Sequence, residues 1–109
     1  MNNQLIELKM SLKELIQNLI HRIDPICQSL MEGQEERLSF FIEDLAMFTE
    51  TMLVLVEHQV LDFDLELFNE KVQVLLDHVE SKDLLYIADL LKYDIKPLLI
   101  YWDGCITND

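Results

Sequence analysis

Apolar residues recur every three or four positions along almost the whole chain, the spacing that places oily side chains on one face of an α-helix. In residues 83–102 this pattern puts Leu84, Ile87, Leu91, Leu98 and Trp102 on one face, with Ala88 and Ile95 beside them. Asp83 is placed to cap that helix, and Ser81 is the competing cap two residues earlier. Pro97 interrupts the pattern, removes one helical N–H and crowds the carbonyl of Tyr93, so a kink or break is expected near 95–97. The apolar phase is kept across Pro97, which favours one kinked helix over two segments. Asp103-Gly104 reads as a stop, giving a domain over 1–102 and a flexible tail over 103–109.

Earlier in the chain the same spacing predicts three more helices. The first runs from about Asn3 to Met31, on Leu5, Leu8, Leu12, Leu15, Leu19, Ile23, Ile26 and Leu30, widened by Ile6, Ile16, Ile20 and Cys27. Pro25 either opens a second segment capped by Asp24 or bends one helix and leaves the His21 carbonyl unpaired; the unbroken stripe favours the bend. Gly33 is the expected left-handed terminator.

The second helix, about Gln34 to Gln59, carries one stripe of Leu38, Phe41, Leu45, Phe48, Met52 and Leu55. Ile42, Thr49, Leu53 and Val56 form a second stripe, and Phe40, Met47 and Val54 lie outside both. A helix apolar over that much of its girth is either central or covered by another subunit. The third helix, Leu65 to Glu80 with Asp64 as cap, carries Leu65, Phe68, Val72, Leu75 and Val79 on one face. The expected fold is therefore all-α: a four-helix antiparallel bundle, up-down-up-down, with two long and two shorter helices kinked at Pro25 and Pro97. Arms of unequal length leave part of the long hairpin uncovered, which makes a homodimer an expectation.

Charge narrows the partners. The net charge is −13, spread unevenly: residues 1–32 carry −1, whereas 33–61, 62–82 and 83–109 carry −5, −4 and −3. Nucleic acid and anionic membrane surfaces are disfavoured, because both need Lys and Arg facing phosphate. No apolar run reaches the ~20 residues of a membrane span, and the N-terminus lacks the basic start and apolar core of a secretion signal, so a cytoplasmic location is expected. Cys27 and Cys105 form no C-x-x-C pair.

Ile87-Ala88-Asp89-Leu90-Leu91, then Tyr93-Asp94-Ile95, Pro97-Leu98-Leu99 and Trp102 form a distinctive ending. It resembles the A-D-L-L-x-Y-[DE]-[LI]-x-P-L-L-x-x-W C-terminal helix of an uncharacterised family of short, acidic, all-helical proteins from low-GC Gram-positive bacteria. Met31-Glu32-Gly33 and Phe68-Asn69-Glu70-Lys71 are similar to the same pattern. The resemblance implies an all-α fold, no known activity, and company with flagellar or secretion components.

Residues that could carry chemistry are scattered. None of His21, His58 and His78 has an acid three positions earlier, so the Glu-x-x-His arrangement of di-metal bundles is missing. Cys27 lies on an apolar face without an evident base, and the two glycines are too far apart for a phosphate-cradling loop. No catalytic, metal or cofactor residues are expected. Tyr86, Tyr93 and Tyr101, with Asp89 and Lys96 nearby, share roughly one face of the last helix, an aromatic and amphipathic composition enriched at contact surfaces. The expected function is a non-enzymatic protein-interaction module, chaperone- or adaptor-like, with an unknown protein partner. The alternative is an acidic immunity protein or antitoxin that neutralises a basic partner. Asp44, Glu43, Glu50 and Glu57 along the second helix read as a solvated face or as an acidic stripe for a basic helix.

Overall fold

A computed structural model describes residues 3–106. Helices α1 (Asn3–Met31), α2 (Glu36–Glu57) and α3 (Leu65–Glu80) are followed by one long helical arm. The arm comprises α4 (Leu84–Leu90), a π-helical turn (Leu91–Ile95) and α5 (Lys96–Cys105). No strand occurs among the described residues. The helices pack up-down-up-down into a rod of 46 × 23 × 20 Å. Both ion pairs between α1 and the arm among the described residues, Asp24 with Lys96 and Lys13 with Asp103, place the two antiparallel.

α1 is the axis of the bundle, touching α2 and all three parts of the arm. It passes Pro25 as a single helix of 29 residues. Its buried set is Leu12, Ile16, Leu19, Ile23, Ile26 and Leu30. α2 is not central, contrary to one of the two sequence expectations. Its first stripe, Leu38 through Leu55, is the buried one, while Phe40, Met47, Leu53 and Val54 face outward. The physical reason is the company each helix keeps: α2 packs on α1 along one side only.

Aromatic rings join the remaining elements. Phe48 of α2 meets Phe68 of α3 edge-on at 5.5 Å between ring centres. Trp102 of α5 lies 5.2 Å from Phe68 and stacks on Phe63 of the α2–α3 link at 4.9 Å and 6°. Such pairs add about 0.5–1.5 kcal/mol beyond simple burial.

The arm departs from a regular α-helix where Pro97 requires it. Pro97 cannot donate to the Tyr93 carbonyl, and the Lys96 N–H instead reaches back five residues to Leu91. Side chains at 87, 91, 95 and 99 are spaced by four, so on a straight α-helix they would drift around the axis. The wider π turn absorbs that drift and keeps Ile87, Leu91, Ile95 and Leu99 all buried. The expected placement of Leu98 on the core face is thereby corrected: Leu98 is half-buried and Leu99 takes the core position. The arm also continues beyond Trp102. Gly104 lies inside α5 and Ile106 is buried, so the expected tail from 103 does not begin there. Lys13 holds this end, donating to the carbonyls of Asp103 and Ile106 at 3.0 Å each. Residues 107–109 of that expected tail lie outside the described residues.

Three helix ends share one geometry. In each, a left-handed residue is followed by an N–H that bonds five residues back. Gly33 (φ 79) precedes the Gln34-to-Ser29 bond, Gln59 (φ 61) the Val60-to-Leu55 bond, and Lys82 (φ 58) the Asp83-to-His78 bond. Only the first is a glycine. Asp64 and Asp83 then cap the next helices, accepting from Leu67 N–H at 3.0 Å and Tyr86 N–H at 3.4 Å.

Two stability predictions follow from these contacts. Lys82→Gly relieves a left-handed non-glycine residue and is expected to raise the unfolding free energy by about 0.5–1 kcal/mol, seen as a higher urea midpoint at unchanged slope. Phe68→Ala removes the ring that meets both Phe48 and Trp102 and is expected to lower it by about 3–5 kcal/mol in the same assay.

A candidate interaction groove

The face carrying the three tyrosines is built by the arm and α3 together. Tyr86 sits in the first turn of α4, and its ring lies 3.9 Å from that of His78 at the end of α3. Tyr93 is carried by the π turn and is 65% exposed, with the Lys92 ammonium 5.6 Å above its ring. Tyr101 projects from α5 and is 67% exposed. Tyr86, Asp89 and Tyr93 do come together: with Leu90 and Asp94 they line a hollow of about 210 Å³.

Tyr101 lies elsewhere, in a larger hollow of about 450 Å³ walled by Phe63, Leu67, Leu98 and Trp102. Lys96 is not part of the open face. Its ammonium is drawn to Asp24 of α1, 3.0 and 3.1 Å from the two carboxylate oxygens. The cause is the register of the antiparallel α1–arm pair, which brings position 96 beside position 24.

What connects the hollows is a side that sequence reasoning did not single out. Leu67, Glu70, Lys71 and Val74 of α3 face Tyr86, Leu90 and Asp94 across a third hollow of about 230 Å³. Tyr86, Leu90 and Asp94 also line the first hollow, and Leu67 also lines the one at Tyr101. The result is a groove between α3 and the arm, from Val74 and Tyr86 at one end to Phe63 and Tyr101 at the other. The available sequence signal was the pair Leu67 and Val74, seven residues apart and outside the α3 core stripe.

Electrostatically the groove is one-sided. Asp62, Asp64, Glu70, Asp89 and Asp94 line it against Lys71 alone, with Lys92 lying over Tyr93. The ion pairs among the described residues are Lys13–Asp103, Arg22–Asp44 and Lys96–Asp24, and Nδ1 of His78 lies 4.0 Å from the Asp83 carboxylate. None of the five groove acids takes part.

The other chemical candidates have local partners. Nδ1 of His21 lies 2.7 Å from the Gln17 carbonyl, and that of His58 lies 2.8 Å from the Val54 carbonyl. No group of His, Cys, Asp and Glu suited to a metal ion occurs among the described residues. The Cys27 thiol donates to the Ala88 carbonyl at 3.4 Å. Burial first, and then the Asp24 carboxylate, push its pKa above the usual thiol range. Its reactive thiolate is therefore scarce near neutrality, and the ring of neighbours that partly buries it limits access, whereas Cys105 is exposed. With iodoacetamide at pH 7.5, Cys105 is expected to be modified at least about tenfold faster than Cys27, as read by mass spectrometry of peptides. Equal rates would contradict the burial of Cys27.

No helix among the described residues is long and apolar enough to cross a membrane. No curated protein and no solved structure matches the chain. One family model does, over residues 7–104, which takes in both walls of the groove. The chain belongs to the uncharacterised family described as Domain of unknown function (DUF8042).

Proposed function

We propose that the chain is a non-enzymatic, cytoplasmic protein-interaction module, chaperone- or adaptor-like, that holds a partner segment in the groove between α3 and the arm. The observation that carries this reading is the groove itself. It is walled by exposed aromatic and aliphatic side chains, and its charged rim is left without ion-pair partners. Exposed tyrosines beside apolar hollows supply contact area at low entropic cost. The resemblance of the C-terminal helix adds flagellar or secretion components as the setting.

A second reading, an immunity protein or antitoxin acting on a basic toxin, is favoured by the acids along the same rim. The two differ in what the partner must be. A short segment excised from the partner should still bind under the first reading, whereas the second requires the folded toxin surface.

Homodimerisation belongs to the proposal as well. Phe40, Met47 and Val54 on the outer side of α2 give it a place, but Glu43 and Glu50 lie among them. Two copies meeting there set acid against acid, so the dimer should tighten as salt rises. Sedimentation showing monomer at every ionic strength and at high micromolar concentration would remove the dimer from the reading.

The groove is tested by placing a photo-crosslinking amino acid at Tyr93 or Leu67, and at Glu14 on the exposed side of α1 as a control, away from both the groove and the outer side of α2. Discrete adducts to one protein from the groove positions, and not from the control, are expected in cells. Adducts equally frequent at Glu14, or none at the groove positions, would refute this use of the surface.

A further inference from the structure

We infer that the groove between α3 and the arm takes a basic amphipathic helix of the partner, an assignment that rests on the interaction reading above and names the chemistry of what is held. Shape comes first. Both walls are helices whose backbone groups are bonded within themselves, and no strand occurs among the described residues to offer an edge to an extended peptide. Recognition must therefore run through side chains, as when a helix lies in a groove formed by two others.

Length comes next. From Tyr86 to Tyr101 the arm rises roughly 22 Å, enough for about four turns of a docked helix. The apolar contacts are spaced along that length: Val74 with Tyr86, then Leu67 with Leu90, then Leu98 with Phe63 and Tyr101. A partner helix with apolar residues at i, i+4, i+7 and i+11 would meet them in turn.

Charge selects the flanks. Five carboxylates border the groove, and none is neutralised by an ion pair among the described residues. A second copy of this chain, at −13, would bring more acid to the rim, and nucleic acid would be repelled. Lysine and arginine flanking an apolar stripe are what the rim attracts.

The test uses three synthetic peptides of about 17 residues. One has leucine at the four apolar positions and lysine or arginine on the flanks. The second replaces the basic residues by glutamate. The third has the composition of the first with a central proline that breaks the helix. Binding is followed by titration calorimetry and by amide chemical-shift perturbation. The basic helix is expected to bind, to perturb amides of α3 and the arm, and to weaken at least about fivefold between roughly 50 and 300 mM salt.

Leu67→Glu, at an exposed position, should weaken it at least about tenfold, and Glu70→Lys with Asp94→Lys should reverse the preference toward the acidic peptide. Circular dichroism melting of each variant checks that the bundle is intact. Equal binding of the acidic or the proline-broken peptide would overturn the inference and leave the interaction module standing. So would perturbation confined to α2 and indifferent to Leu67→Glu. If crosslinks from Tyr93 and Leu67 are also absent in cells, the module reading falls with it.

Discussion

Four aromatic rings hold this bundle in register. Phe48, Phe63, Phe68 and Trp102 come from α2, the α2–α3 link, α3 and α5, elements that share little other contact. α3 packs on α4 and the π turn, while α2 packs on α1. Without the ring cluster nothing comparable would fix where α3 begins relative to α5. The cluster sets the lower end of the groove, because Phe63 and Trp102 are both part of it and part of the hollow at Tyr101. The same burial that closes the core therefore positions the surface proposed to meet a partner.

Pro97 connects core geometry to that surface in a second way. By withholding one N–H it makes a regular α-helical turn costly, and the π turn that replaces it rotates everything downstream. The core keeps a continuous line of apolar side chains at four-residue spacing. The residues between them, Tyr93 and Asp94, are presented on the groove side. The π turn is thus the junction at which the A-D-L-L-x-Y motif faces inward through Leu91 and outward through Asp89 and Tyr93, with Leu90, almost wholly buried, forming the floor of the groove between them.

The uneven charge of the chain also has a structural meaning. α1, nearly neutral, is the helix with neighbours on most sides, and several of its charges tie it to them: Lys13 to Asp103, Arg22 to Asp44, Asp24 to Lys96. Partly exposed pairs of this kind add little stability individually, but they fix the axial register of α1 against α2 and the arm. Most of the acids that remain lie outside α1, on the outer helices and their links, where water solvates them.

The all-helical class, the limits of α1 and α3, the two aspartate caps and the core stripe of α2 were legible in the sequence, because each depends on local periodicity and on short-range hydrogen bonding. Gly33 announced its helix end by its freedom at positive φ, whereas Gln59 and Lys82 adopt the same conformation with no such mark, since surrounding contacts impose it. Tyr86, Asp89 and Tyr93 could be placed on one face from their spacing. Lys96 could not be removed from that face without knowing that Asp24 lay opposite, seventy-two residues away in the chain. The exchange of Leu98 for Leu99 in the core, the central place of α1 and the groove itself were decided only by tertiary structure. Each depends on which helix lies beside which, and the spacing within a helix records that it has an oily side but not what that side meets.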